Sequence, residues 1–327
     1  MLSIGVAIFS MVLAWSGALL IAKRGIAWGF ADIPNERSSH ISIVPRGGGV
    51  GIPLAAALTS FFLAPSQLLI ASASILISMT ALLNDKREFP VGFRLAVEAI
   101  VAGVLVYPVF LMVRTSKGQS YALLILAISI LYIVAQANIF NFMDGINGIA
   151  AIEAMISFAL LGIHAQLTGK PDIVLICVAV VAGAIGFFPL NFPRAKVFMG
   201  DVGSVYLGFL FAAMIMVMAK SFKEFLALAL FQGVFSIDGT MTIVRRAIKK
   251  QNIFRAHRQH LYQLLVHSGA WSHAKTALVY GAVQTCFGLT SLFIVSASLG
   301  SIISLWSCLL ITYLVGEYLA SRVPKNA

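Results

Sequence analysis

Eleven apolar runs, each nearly long enough or long enough to cross a bilayer, constrain this chain more than any other feature. They fall at approximately 2–21, 48–64, 68–83, 95–112, 121–137, 148–166, 173–190, 203–219, 225–243, 275–297 and 300–320. A hydrocarbon core about 30 Å thick takes roughly 20 apolar helical residues to span. Only 11% of the 327 residues are charged and 60% are apolar, with a mean hydropathy of +0.95. Soluble globular chains carry roughly 25% charged residues, so a water-soluble fold is excluded. The sequence predicts one integral membrane domain over 1–327, all-α and polytopic, with 10–11 transmembrane helices. The first run has no basic residue before it and exceeds a signal peptide's apolar region, so it is expected to remain as a membrane helix.

The 23 Lys and Arg against 12 Asp and Glu leave a net charge of +11. Such an excess suits nucleic acid, an anionic membrane surface or a phosphate-bearing substrate. In so apolar a chain nucleic acid is set aside as a partner and membrane lipid is expected. With the N-terminus outside, 18 of the 23 basic residues lie in or beside the cytoplasmic segments and five in the opposite loops. Lys and Arg are retained on the cytoplasmic side, so this orientation is expected. Cys177, Cys286 and Cys308 lie in apolar runs without metal-ligand spacing and read as packing residues.

The outer loops are short turns, whereas the inner loops hold most of the Asp, His and Arg. A transporter is expected to gather ionisable groups near the midplane between broken helices. Chemistry collected at one interface suits an enzyme that joins a soluble substrate to a lipid one. A transporter of a lipid-linked or anionic substrate stays as the alternative, beside a non-catalytic scaffold with a basic face.

Five constellations lie in the inner loops. Pro34 to His40, followed by Pro45-Arg46-Gly47-Gly48-Gly49, offers exposed amides beside a guanidinium, a phosphate-holding combination, or else a flexible juxtamembrane loop. Asn84-Asp85-Lys86-Arg87, with Arg94, reads as a metal- or proton-handling group or as a solvated ion pair. Asn138, Asn141 and Asp144 recur every three residues before Gly145, Asn147 and Gly148, which puts three polar groups on one helix face. So many hydrogen-bonding groups at an interface favour a polar ligand or ion over packing. Asn191 to Ser204 holds Val-Phe-Met-Gly-Asp-Val-Gly-Ser, in which Asp201 is a hard oxygen ligand suited to Mg²⁺. Arg255, His257, Arg258 and His260 form a basic run that favours a diphosphate over zinc, or that simply serves as a positive loop.

Together, and in this order, these motifs resemble the polyprenyl-phosphate N-acetylhexosamine-1-phosphate transferase family, bacterial glycosyltransferase family 4, from Pro34 to about Gln263. The resemblance implies transfer of sugar-1-phosphate from a UDP-N-acetylhexosamine to undecaprenyl phosphate, releasing UMP at a cytoplasmic active site. It implies Mg²⁺ on Asp201, assisted by Asp144, with Mn²⁺ as the other ion that would serve. Catalytic roles fall on Asp85, Asp144, His257 and His260. Substrate contacts fall on His40, Arg46, Asn138, Asn141, Asn147, Asn191, Phe198, Arg255 and Arg258, with Asn191 and Phe198 at the uridine. Asp238 also fits the family pattern. A homodimer is compatible with it.

One position departs from the family. Relatives commonly carry two adjacent aspartates where this chain has Asn84-Asp85, and the first has been proposed as the base that activates the lipid phosphate. Asn84 cannot accept a proton at neutral pH. Either Asp85 takes that part, or no strong base is needed, because a phosphate monoester's second pKa is about 6. The His257-Arg258-Gln259-His260 run looks more like enzymes that initiate O-antigen, enterobacterial common antigen or teichoic acid chains than like the phospho-MurNAc-pentapeptide translocase. A role at the start of lipopolysaccharide O-antigen or other envelope polysaccharide synthesis is therefore expected. The donor would be UDP-GlcNAc or a relative such as the N-acetylfucosamine or N-acetylquinovosamine nucleotide.

Overall fold

A computed structural model describes residues 1–34, 42–252 and 258–322. Every apolar run is helical. The helices are α1 (Leu2–Arg24), α2 (Gly51–Leu63), α3 (Leu68–Lys86), α4 (Val91–Lys117), α5 (Gln119–Met143), α6 (Ile149–Leu167) and α7 (Pro171–Asn191). They continue with α8 (Asp201–Met218), α9 (Phe222–Ala229), α10 (Gly233–Ile248), α11 (Leu261–His267), α12 (His273–Ile294) and α13 (Leu299–Ser321). Among the described residues ten helical segments are long and apolar enough to cross a membrane, Phe222–Ile248 counting as one. The apolar helix Gly48–Leu63 is shorter. The chain is thus an all-α polytopic membrane protein. Large apolar side chains such as Phe62, Ile100, Leu131 and Phe293 point outward, as lipid tails require.

Helix α8 is the axis of the bundle. Every residue from Val202 to Ile215 is buried, and α3 and α5 pack along it. A Cβ at Gly208 would strike the Gln136 carbonyl and the Phe140 side chain of α5. The bare glycine lets two backbones approach where association depends on packing rather than on water exclusion. Because α3 and α5 end, and α4 and α8 begin, at one end of the bundle, Asn84, Arg94, Asn141 and Asp201 converge there.

Two features were not legible as helix boundaries. The run 225–243 is broken: α9 passes through a 3₁₀ turn at Leu230–Gln232 into α10. Gln284 of α12 fills the gap, donating from Nε2 to the Leu230 carbonyl at 2.9 Å and accepting the Val234 N–H at 2.9 Å. Freed backbone groups inside a membrane protein must be satisfied within it, and one side-chain amide does so here. The second is α11, a short helix in the histidine loop. The sheet is minimal: β1 (Ala31–Asp32) pairs antiparallel with β2 (Val44–Pro45).

Candidate active site

The site begins with the start of α8. Gly200 precedes it at φ +75°, a left-handed conformation suited to glycine. A Cβ there would lie 2.5 Å from the Gly47 nitrogen and 2.7 Å from Asp85 Oδ2. The Gly47–Gly49 loop is laced to the same segment. Phe198 N–H donates to the Pro45 carbonyl, and Gly48 and Gly49 N–H donate to the Phe198 and Met199 carbonyls, all at 2.9 Å.

Asp85 and Asp201 have different partners. Asp85, 2% exposed, accepts the Asp201 N–H on Oδ1 at 3.0 Å and the Val202 N–H on Oδ2 at 3.1 Å. It thus caps α8 from a different helix, satisfying amides that a helix start leaves unpaired and facing the positive end of its dipole. Arg46 Nε donates to the Asp85 carbonyl at 2.9 Å and lies 4.0 Å from its Oδ1. The Asp201 carboxylate accepts Asn84 Nδ2 on Oδ2 and Asn141 Nδ2 on Oδ1, each at 2.8 Å. Arg94 stands 3.6 Å from Oδ2, and Asn141 also donates to Ser204 Oγ at 2.9 Å. Asn84 is held at its other end by the Phe89 N–H, at 2.9 Å.

Asp144 closes α5 and is half-buried. Burial pushes its carboxyl well above the usual carboxylate range, and the charges of Asp201 and Asp85 add to the shift. Asn138, nearly two turns earlier, turns to Glu98 of α4 and to the Val134 carbonyl. Asn147 donates from Nδ2 to the Pro193 carbonyl at 3.0 Å. Asn191 is buried with both amide ends on backbone: Oδ1 accepts the Gly148 N–H at 2.7 Å and Nδ2 donates to the Val197 carbonyl at 3.0 Å. It pins two site loops together. Phe198 is half-buried in the loop between α7 and α8.

The described part of the histidine loop joins this assembly through α10 and α11. His260 is buried, its Nδ1 3.4 Å from Asp238 Oδ1. Asp238, fully buried, also accepts the Leu261 N–H at 3.0 Å and the Tyr280 hydroxyl at 2.8 Å. Tyr262 donates to the Phe142 carbonyl at 2.8 Å, which ties the loop to the end of α5. Arg258 is partly buried two residues before His260, and its charge, after burial, helps hold His267 below the ordinary imidazole range. His40, Arg255 and His257 lie outside the described residues.

Reading by sequence missed two contributors. Glu98 is 4% exposed; its signal was a lone carboxylate inside the run 95–112. Gln284 carried no signal beyond its polarity, whereas Ser204 closed the Val-Phe-Met-Gly-Asp-Val-Gly-Ser motif. Among the described residues no three His, Cys, Asp or Glu come together as a metal-binding group.

The comparisons agree with this architecture. A model of glycosyl transferase family 4 matches residues 67–219, which run from α3 through α8. A probable undecaprenyl-phosphate N-acetylglucosaminyl 1-phosphate transferase of Bacillus subtilis strain 168 is 27% identical over 297 residues, 86% of this chain and 81% of its own. An undecaprenyl-phosphate alpha-N-acetylglucosaminyl 1-phosphate transferase of Yersinia pestis is 28% identical over 290 residues, 82% of this chain and 78% of its own. One of the same name from Escherichia coli K12 is 25% identical over 269 residues, 77% and 73% of the two chains. In its motifs, its helices and the matched span, the chain is similar to glycosyl transferase family 4.

Proposed function

We propose that the chain transfers an N-acetylhexosamine-1-phosphate, GlcNAc-1-phosphate or a close relative, from its UDP derivative to undecaprenyl phosphate, releasing UMP. The observation that carries this is the Asp201 carboxylate at the start of α8, held by Asn84 and Asn141 and faced by Arg94. It sits at the end of the bundle where the basic loops gather, and the relatives bear transferase names. A transporter would place such groups at mid-depth; here Asp85, Asp144 and Asp201 all lie at helix ends. The excess of basic residues in these loops supports a cytoplasmic active site in the inner membrane.

The residues fit Mg²⁺. Burial, and after it the charges of Asp201 and Asp85, push the Asp144 carboxyl upward, and a dication relieves the repulsion among the three. Mg²⁺ prefers one or two carboxylates completed by phosphate oxygens and waters, so the lack of a third protein ligand is no obstacle. Asp201 and Asp144 would hold the ion, with Mn²⁺ able to replace it. Bound there, a divalent ion neutralises charge on the donor diphosphate. The protein does the rest: Arg94 and Arg46 supply fixed positive charge beside the reacting phosphates. Asp238 positions His260 toward the donor's side, and Asp85 keeps α8 aimed at the site.

The test is UMP release by purified, detergent-solubilised protein given undecaprenyl phosphate and a panel of UDP-N-acetylhexosamines. Release that requires both the lipid and Mg²⁺ is expected with at least one donor, and that donor identifies the sugar. Folded protein that neither releases UMP nor binds any of the nucleotide sugars contradicts the reading. The subfamily features of the histidine loop support O-antigen or a related envelope polysaccharide as the destination.

A further inference from the structure

We propose that Glu98 is the proton acceptor for the lipid phosphate, taking the part that asparagine at position 84 leaves open. This assignment rests on the transferase reading above. Glu98 lines a cleft with Asn84 from α3, Phe93 and Arg94 from α4, and Asp201 and Val205 from α8. Arg94 and Glu98 are four residues apart on α4 and so share a face. One therefore presents a cation and the other a carboxylate to the same space.

Of the other carboxylates of the neighbourhood, Asp85 and Asp201 are engaged by hydrogen bonds, and Asp144 is given above to the metal. Both oxygens of Asp85 receive α8 amides. Asp201 receives two asparagine amides and faces Arg94. Asn84, fixed at both ends by Asp201 and Phe89, has no proton-accepting group. Glu98 accepts the Asn138 amide on Oε2, which orients the carboxylate and leaves Oε1 to the cleft. Its depth also matters. Seven residues beyond the start of α4, it lies about 10 Å along the helix from the loops. A buried acid within a membrane helix is expensive and is by default a functional group.

The proton transfer balances simply. The acceptor arrives as a singly protonated monoester, because a cleft poor in water and bordered by Asp201 disfavours the second negative charge. The acceptor's proton passes to Oε1 of Glu98. The resulting dianion's oxygen bonds to the sugar-bearing phosphorus of the donor, while that phosphorus loses its bond to the bridging oxygen of UMP. UMP departs with the electron pair, and the Glu98 carboxyl returns its proton to water.

The experiment is the pH–rate profile of UMP release by wild type, Glu98→Gln and Glu98→Asp, with UDP-GlcNAc binding measured alongside. For Glu98→Gln the expected loss is roughly 100-fold at pH 7.5. The gap narrows at pH 9.5, where more of the acceptor enters the cleft already as the dianion; donor binding stays the same. Glu98→Asp, a carboxylate drawn back by one methylene, shows a smaller loss with the same narrowing, and carries the test if Glu98→Gln does not fold. No loss, or a loss equal at both pH values in a folded variant, overturns the assignment and leaves the transferase reading standing. A wild-type protein that releases no UMP from any donor overturns the reading itself, and the assignment with it.

Discussion

Asp85 and Asp201 meet at the start of α8, yet their partners give them different work. Asp85 is committed to two backbone amides, so its removal is a capping loss. Asp85→Ala should destabilise the solubilised protein by about 0.5–2 kcal/mol, seen as a lower Tm, and Asp85→Asn, which keeps one acceptor oxygen, by less. An Asp85→Ala protein as stable as wild type would remove the capping role. Asp144 makes a prediction about pH. An unfolded aspartate ionises near 3.9, whereas burial, Asp201 and Asp85 hold the folded group well above that. The folded chain therefore keeps the proton longer. Stability conferred below the unfolded value is lost as pH climbs through the folded one. Metal-free Asp144→Asn should thus melt above wild type at pH 7.5, with the difference closing toward pH 4. A difference independent of pH would contradict the electrostatic account.

Among the elements, the break between α9 and α10 is the feature that the amino-acid pattern concealed. Leu230-Phe231 continues the apolar run, and Gln232-Gly233 is a slight interruption at the break itself, so hydropathy reads straight through. What breaks the helix lies on α12, where Gln284 bonds to the Leu230 carbonyl and the Val234 N–H. Gln284→Leu leaves both groups buried and unpaired, each worth about 1–3 kcal/mol, and should lower Tm accordingly; an unchanged Tm would mean that the break needs no clamp. The same distinction runs through the site. The three-residue spacing of Asn138 and Asn141 put them on one helix face, and the glycine-flanked Asp201 stood out as a hard oxygen ligand. Their destinations were not legible. Asn138 goes to Glu98 on α4 and Asn141 to Asp201 on α8, choices made by how three helices pack. Asn191, expected at the uridine, has its amide engaged by Gly148 and Val197, partners that only the folded loops bring together.

For the whole molecule, an apolar bundle with its chemistry at one end is what the proposed reaction needs, because its two substrates would occupy different phases. The α8 start, the ends of α3 and α5, and the α10–α11 corner gather the polar side chains, while the outer faces of the helices carry exposed apolar ones. The most direct test of this account is the identity of the lipid formed. Purified protein with a radiolabelled UDP-N-acetylhexosamine, undecaprenyl phosphate and Mg²⁺ should yield an organic-soluble product whose mass is that of undecaprenyl diphosphate bearing the sugar. One such molecule should form for each UMP released. Label that crosses a sealed vesicle membrane unaltered, or UMP formed without the diphosphate-linked lipid, would contradict it.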